Sequence, residues 1–238
     1  MSKIVITAHQ PGYLPWLGLF HKIAIADHFV SFNDVQYEVK GWHNRNKIKS
    51  VNGELMLSVP VFTKGHLSKS LQEILIADDQ PWAKKHFKSI SSCYGKAPYW
   101  KRYSDFFEMI YLQKEWTKLV DLNEFMLNWF LLELGIKTPV SYMNQYNFEG
   151  KKSSLVLDMC LKMNADKYVF GAMGAGYADL SSFAEAGVAV YFQDYKHPVY
   201  TQLYGGFSPN MSIIDLLLMH GDRSCEILLS GNISRSDL

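Results

Sequence analysis

The stretch "ITAHQPGYLPWLGLFHKIAIADHFVSF", residues 6–32, decides the fold class of this chain. Its first residues are apolar and β-branched, which is typical of a buried strand, and Pro11, Gly12 and Pro15 then mark a loop. Apolar residues at helical spacing follow over residues 16–26, and "HFVSF" at 28–32 predicts a second strand. A strand, a helix and a strand in this order predict a βαβ unit, in which the two strands are parallel.

Predicted strands and helices alternate through the rest of the chain, apart from one block that is predicted to be helical. Three successive helical patterns predict a helical insertion at about residues 80–135, and strands alternate again with helices after it. Residues 38–53 are polar and basic and predict a loop, whereas residues 54–62 predict a strand. We therefore expect one α/β domain over residues 1–238, with a mostly parallel sheet, flanking helices and this insertion.

The composition narrows the class of protein. The 238 residues are 48% hydrophobic and 20% charged, a balance that lets a chain of this length bury a core. The net charge of +1 creates no field that would attract nucleic acid. Cys93, Cys160 and Cys225 lie far apart, and their spacing predicts neither a disulfide framework nor a metal site. No apolar run reaches the length of about 20 residues that a membrane helix needs, so we expect a soluble cytoplasmic protein without membrane insertion.

Polar residues directly after the predicted strands indicate a binding site. In open α/β sheets, ligands bind beyond the carboxyl ends of the strands. His9 and Gln10 follow the first strand, and Asp34 follows the second. The glycine-rich "GAMGAGY" at 171–177 and "QDYKHPVYTQ" at 193–202 follow later strands. We expect these four groups to meet in one crevice.

Several motifs together resemble the WbqC-like protein family. They are "AHQPGYLPWLGLFHKIAIADHFVSFNDVQY", "WHNRNKIK", "FGAMGAGY" and "DYKHPVYTQLYGGFSPNMSIIDLLLMHG", and they extend over almost the whole chain. The resemblance implies a setting in bacterial gene clusters for O-antigen and other surface polysaccharides. It implies an N-acyl or aminoacyl transferase that modifies the amine of a sugar, which we expect to be nucleotide-linked.

The opening stretch also resembles nucleotidylyl-transfer enzymes, which hold a triphosphate with two histidines of a HIGH-type motif. His9 matches the first histidine, but Leu19 follows Gly18 where the second is expected, and His21 lies further along the helix. The departure argues against triphosphate chemistry, although the fold likeness can hold without it. An ATP-dependent nucleotidyl-transfer enzyme or ligase is the second hypothesis, and a non-catalytic nucleotide-sugar binding protein is the third.

Acyl transfer requires a group that takes a proton from the attacking amine. His9 or His197 is the candidate for this role, with Asp34 as the partner that orients a histidine. Gln10 or the backbone amides of the glycine turn are the candidates for binding the oxyanion. The acyl donor is expected to be a thioester of coenzyme A or of an acyl carrier protein. The sequence leaves open which of the two is used, as well as the oligomeric state.

The predicted substrate-binding residues are of three kinds: rings that can stack on a sugar, polar or charged groups that can bind phosphate, and glycines whose backbone N–H groups can bind an anion. Arg45 and Lys49 are the candidates for gripping a diphosphate. Asp215 lies among aliphatic residues on the closing helix, where we expect a structural partner. The full set is Gln10, Tyr13, Trp16, Tyr37, Trp42, Asn44, Arg45, Asn46, Lys49, Gly171, Gly174, Gly176, Tyr177, Tyr200 and Gln202.

Overall fold

The computed structural model describes residues 3–77 and 80–238 and shows alternating strands and helices. The strands are β1 (Val5–His9), β2 (His28–Ser31), β3 (Arg45–Ser50), β4 (Gly53–Ser58), β5 (Val140–Tyr142), β6 (Lys167–Phe170) and β7 (Ala189–Phe192). The α-helices are α1 (Leu17–Ala24), α2 (Trp82–Tyr94), α3 (Trp100–Glu108), α4 (Leu119–Glu133), α5 (Ser153–Lys162), α6 (Leu180–Glu185), α7 (Ile213–His220) and α8 (Ser224–Leu229).

Five of the strands form one parallel sheet in the order β5-β2-β1-β6-β7. The predicted α/β class and the parallel βαβ opening are therefore confirmed. The strands β2 and β5 lie on one side of β1, and the later strands β6 and β7 lie on its other side. The strand order thus reverses between β1 and β6, and such a reversal is where open α/β sheets bind ligands.

The two faces of the sheet pack against different helices. Phe29 of β2 belongs to the same core as Phe20 of α1 and Phe130 of α4. Ile6 and Val30, which point the other way, belong instead to the core formed with α5 and α6. Because side chains alternate along a strand, the residues at the ends of β1 and β2 that are in phase with Phe29 face α1 and α4. These residues are His9 and Ser31, which are register partners.

The three helices predicted between residues 80 and 135 are present as α2, α3 and α4. The α3 helix ends in a π-helical turn at Met109–Gln113. The ring of Phe130 on α4 packs edge-on against that of Phe20 on α1, with the centroids 6.0 Å apart. These helices therefore lie against the α1 face of the sheet. Among the described helices, none combines the length and the apolar character that crossing a membrane requires.

The prediction of a basic loop at residues 38–53 is wrong for its second half. Residues 45–50 form β3, which pairs antiparallel with β4, and the strand predicted at 54–62 ends at Ser58. Asn46 and Lys49 of β3 are both buried, on opposite faces of the strand because they are three residues apart, and their polar groups bind within the chain. A strand whose buried side chains are polar does not show the apolar alternation by which strands are recognised.

Candidate functional site

A lysine without a charged partner lies beneath the carboxyl end of β1. Lys22 of α1 is 3% exposed, and its ammonium donates to the carbonyl oxygen of Ala8 at 2.8 Å. Among the described residues, no carboxylate forms an ion pair with it. Burial lowers the pKa of Lys22 from 10.5 to about 7. A buried cation with a single neutral acceptor is costly, and such groups occur mainly at functional sites.

His9 is half-buried at the end of the same strand, beside this lysine. Its Nδ1–H donates to the carbonyl oxygen of Gln10 at 2.7 Å, which leaves Nε2 as an acceptor. Burial, and then the charge of Lys22, lower the pKa of His9 to about 3, so its imidazole is neutral at physiological pH. The ring of Trp16 meets that of His9 edge-on, with the centroids 5.0 Å apart. His9 is thus a weak base with a free lone pair.

Two buried acceptors, one on His43 and one on Asn123, have no hydrogen-bond partner among the described residues. His43 is 5% exposed and donates from Nδ1 to the carbonyl oxygen of Pro11 at 3.1 Å, while its Nε2 has no partner. Asn123 of α4 is 1% exposed and donates from Nδ2 to the carbonyl oxygen of His43 at 2.8 Å, while its Oδ1 has no partner. Native proteins rarely leave such atoms unpaired, so each of these two atoms is a candidate ligand contact.

A carboxylate from α4 reaches the end of β2. The Oγ of Ser31 donates to Oε1 of Glu124 at 3.0 Å. Burial raises the pKa of Glu124 from 4.5 to about 6, and the hydrogen bond from Ser31 offsets part of that rise. A pKa near the working pH suits a general base, because the group is ionised and still basic.

The loop that joins these groups is held under strain. Leu14 has a φ of 45°, which is rare for a bulky side chain. The side chain of Asn46 donates to the carbonyl oxygen of Leu14 at 2.6 Å and fixes this conformation. Gly18 lies next to Trp16, since a Cβ there would come 2.7 Å from the indole Nε1. These contacts hold Trp16 beside His9.

His197 makes its hydrogen bonds and ring contacts with residues other than His9. The Nδ1 of His197 donates to the carbonyl oxygen of Pro198 at 2.9 Å, and Nε2 accepts from the backbone N–H of Asn210 at 3.2 Å. Both ring nitrogens therefore have partners within the chain. Its ring packs beside those of Tyr200 and Phe207, with centroids 6.1 and 5.9 Å away.

Lys49 and Gln202 belong to a buried network with Asp215. The ammonium of Lys49 donates to Oε1 of Gln202 and to the carbonyl oxygens of Gly205 and Gly206, at 3.1, 2.9 and 2.7 Å. Gln202 in turn donates to Asp215 at 2.7 Å, and Tyr94 donates to the other carboxylate oxygen at 2.8 Å. The expected structural partners of Asp215 are thus confirmed. All three N–H donors of the Lys49 ammonium are therefore used inside the chain. A cleft of about 450 Å³ lies beside this network and is lined by residues 199–202 and 205–207.

Other residues predicted to bind substrate are committed to internal contacts. Tyr13 is fully buried, and its hydroxyl meets Tyr111 and His86 at 2.5 and 2.8 Å, while Tyr37 packs on His43. Arg45 donates to the carbonyl oxygens of Gly41 and Val39 at 3.2 and 3.1 Å, and Asn44 to that of Val59 at 2.8 Å. Trp42 and Asp34 are exposed, and the Asp34 side chain makes no hydrogen bond with a described residue.

The glycine turn faces the other side of the sheet. Gly171 precedes a 3-10 turn at Ala172–Gly176, and a Cβ on Gly174 would come 2.6 Å from Phe170. Tyr177 packs on Phe170, whose side chain belongs to the core with α5 and α6. A cleft of about 310 Å³ opens there, lined by Lys151, Lys152, Ser153, Ser154, Leu157, Tyr177, Asp179 and Ser182.

His21, the second histidine of the opening stretch, is buried away from His9. One ring nitrogen meets the carbonyl oxygen of Ile233 at 3.0 Å, and the other meets the side chain of Gln193 at 2.7 Å. The likeness to nucleotidylyl-transfer enzymes stays a prediction.

Four residues of the cluster around His9 were not predicted from the sequence, namely Lys22, His43, Asn123 and Glu124. Asn123 and Glu124 meet the strand ends only through tertiary packing. The sequence could have indicated that Lys22 is buried, because the helix "WLGLFHKIAIA" is apolar on nearly all sides and leaves no polar face for a lysine.

Comparisons with known proteins agree with the resemblance of the motifs. The chain is 35% identical over 229 residues to the uncharacterized protein Rv1507c of Mycobacterium tuberculosis, which covers 96% of this chain and 98% of the relative. No solved structure matches this chain significantly. The model of the WbqC-like protein family matches residues 10–227. With a match over most of its length, the chain belongs to the WbqC-like protein family.

Proposed function

We propose that this chain is an amide-forming transferase, which attaches an acyl or aminoacyl group to the amine of a nucleotide-linked sugar for a bacterial surface polysaccharide such as O-antigen. The observation that carries the proposal is the position of Glu124. This carboxylate has a pKa of about 6 and lies beside the end of β2 on the same side of the sheet as His9. The unpaired acceptors of His43 and Asn123 lie in the same region of the fold.

The base is assigned to Glu124 instead of His9. An imidazole whose pKa is about 3 takes a proton poorly at neutral pH, whereas a carboxylate whose pKa is about 6 is matched to that pH. His9 keeps a role as an acceptor, because its Nε2 can receive an N–H or O–H of the sugar.

The acyl group moves from the thioester sulfur to the amine nitrogen. The amine nitrogen attacks the thioester carbonyl carbon, a C–N bond forms, and Glu124 takes the proton that the nitrogen loses. The C–S bond breaks as the tetrahedral intermediate collapses, and the thiolate of coenzyme A or of a carrier protein leaves with a proton from solvent. The lone pairs of His43 Nε2 and Asn123 Oδ1 suit N–H donors, and orienting the amine in this way lowers the barrier.

The test is an acylation assay on the purified chain. A panel of nucleotide-linked amino sugars is incubated with acetyl-coenzyme A, other acyl-coenzyme A thioesters and carrier-protein thioesters, each with and without ATP and magnesium. A product heavier by the acyl group, formed without ATP, supports the proposal. Product that forms only with ATP supports a ligase, and binding of the sugar nucleotide without turnover by any donor supports a binding protein.

A further inference from the structure

The ammonium of Lys22 has an unfilled hydrogen-bonding capacity. An ammonium carries three N–H donors, and the carbonyl oxygen of Ala8 accepts one of them. The side chain is 97% removed from solvent, so water does not readily supply the remaining acceptors. Lys49 shows the contrast, since this equally buried lysine has three acceptors within the chain. The difference marks Lys22 as incomplete without a ligand.

The position of Lys22 is that of a ligand-binding group. It lies beneath the end of β1, beside the point where the strand order reverses. His9 is half-buried at the end of the same strand and feels the charge of Lys22, so a ligand that contacts His9 comes near Lys22. The nearby polar atoms differ in kind, because His43 Nε2 and Asn123 Oδ1 are acceptors whereas Lys22 is a donor. A ligand that fits must therefore carry both an anionic oxygen and N–H or O–H groups.

We propose that Lys22 binds a phosphoryl oxygen of the ligand, on the same side of the sheet as the acceptors that bind its amine. The inference rests on the proposed function, because a nucleotide-linked amino sugar carries a phosphoryl group on its anomeric oxygen as well as an amine. Lysine binds phosphate as a point charge, which suits a single phosphoryl group. The diphosphate role that the sequence indicated for Lys49 passes to Lys22, because the donors of Lys49 are used up inside the chain and those of Lys22 are not.

The experiment measures binding of three matched probes by calorimetry. Glucosamine 1-phosphate carries both groups, glucosamine lacks the phosphoryl group, and glucose 1-phosphate lacks the amine. The wild-type chain should bind the first probe at least tenfold more tightly than either of the others. Lys22→Met should remove the advantage of the phosphoryl group and leave the affinity for glucosamine within about twofold. Lys162→Met is the control, since Lys162 pairs with Asp158 on the surface of α5, and it should change nothing.

Two further measurements test the role of Lys22. In wild-type chain labelled with ¹³C at the lysine Cε, the Lys22 resonance should shift with glucosamine 1-phosphate and not with glucosamine, and this measurement needs no variant to fold. Alanine is added as a fourth probe, because it carries an amine and a carboxylate. Tighter binding of alanine than of glucosamine 1-phosphate, lost in Lys22→Met, would overturn the phosphoryl assignment.

The inference and the proposed function fail in different ways. Unchanged binding of glucosamine 1-phosphate by a folded Lys22→Met variant overturns the inference, even if acyl transfer is found. Phosphoryl-dependent binding at Lys22 without acyl transfer from any donor retains the inference and removes the transferase.

Discussion

Ser31 at the end of β2 donates a hydrogen bond of 3.0 Å to Glu124, which α4 supplies from the middle of the helical insertion. Ser31 is also the register partner of His9 on the central strand. Neighbouring strands lie about 4.8 Å apart, so the carboxylate is brought close to the end of β1. The insertion therefore supplies a chemical group to the candidate site.

The first prediction concerns Glu124→Gln, which keeps the size of the side chain and removes its basicity. We expect kcat for acyl transfer to fall by about 10²–10⁴-fold, the usual contribution of a general base. The active form is the carboxylate, so kcat/KM of the wild type should fall as the pH drops through about 6, where Glu124 titrates. The measurement is a pH–rate profile of both chains between pH 5 and 8.

Glu108→Gln is the matched control, because Glu108 is an exposed glutamate of the same insertion. It should retain both the rate and the acid limb of the profile. A Glu124→Gln variant that keeps the limb near pH 6 at full rate would assign the base to another group.

The second prediction concerns Lys49→Met. The structure commits this ammonium to three acceptors within the chain, so its loss should lower the free energy of unfolding by about 3 kcal/mol, the scale of a buried charged hydrogen bond. The affinity of the folded chain for a nucleotide-linked sugar should stay within about threefold. Urea unfolding and calorimetry separate the two effects. A tenfold loss of affinity at unchanged stability would restore Lys49 to the diphosphate role that the sequence indicated.

The third prediction concerns Gly18→Ala in α1. Glycine to alanine inside a helix normally stabilises by about 1 kcal/mol, but here the new Cβ would come 2.7 Å from Nε1 of Trp16 and 3.1 Å from the ring of Tyr195. We expect a net loss of about 1–3 kcal/mol from overpacking, and a lower rate because Trp16 is displaced from His9. Gly176→Ala is the control for the stability measurement, since a Cβ there meets no atom within 4 Å. Stabilisation by Gly18→Ala would show that Trp16 is free to move.

Much of the sheet could be predicted from the sequence, because each of its strands is short, largely apolar and bounded by turn residues or helix signals. The β3 strand was not recognised because two of its buried residues, Asn46 and Lys49, are polar and are satisfied by distant groups, the carbonyl oxygen of Leu14 and the side chain of Gln202. A pattern of side-chain polarity cannot show that a distant residue supplies the missing partner.

Of the candidate site, only the residues that come directly after a strand could be predicted from the sequence. His9 comes directly after an apolar run, so its place at the strand end follows from the periodicity. Glu124 is 93 residues from the Ser31 hydroxyl that it accepts from, and nothing local separates it from the exposed Asp121 on the same helix. The burial of Tyr13 could not be predicted either, because nothing in its loop shows that its hydroxyl meets the distant Tyr111 and His86.

The last prediction concerns the stability of Lys22→Met as a function of pH. Folding lowers the pKa of Lys22 from 10.5 to about 7, so the folded chain binds this proton more weakly than the unfolded chain. Between these two values the unfolded state holds more protons, and the free energy of unfolding of the wild type therefore rises with pH. Below pH 7 the full cost of the buried charge applies. Methionine removes that cost, so the variant should be more stable than the wild type by about 1–4 kcal/mol at pH 6.

The gain from Lys22→Met should shrink as the pH rises to 9.5, because the wild-type lysine then becomes neutral in the folded state. Urea unfolding at pH 6 and pH 9.5 measures both values, with Lys162→Met as the surface control. A variant less stable than the wild type at both pH values would mean that the hydrogen bond to the carbonyl oxygen of Ala8 outweighs the cost of the charge. Lys22 would then be retained for folding. A substitution that stabilises the chain but removes the affinity for the phosphoryl group is instead the signature of a residue kept for function at the expense of stability.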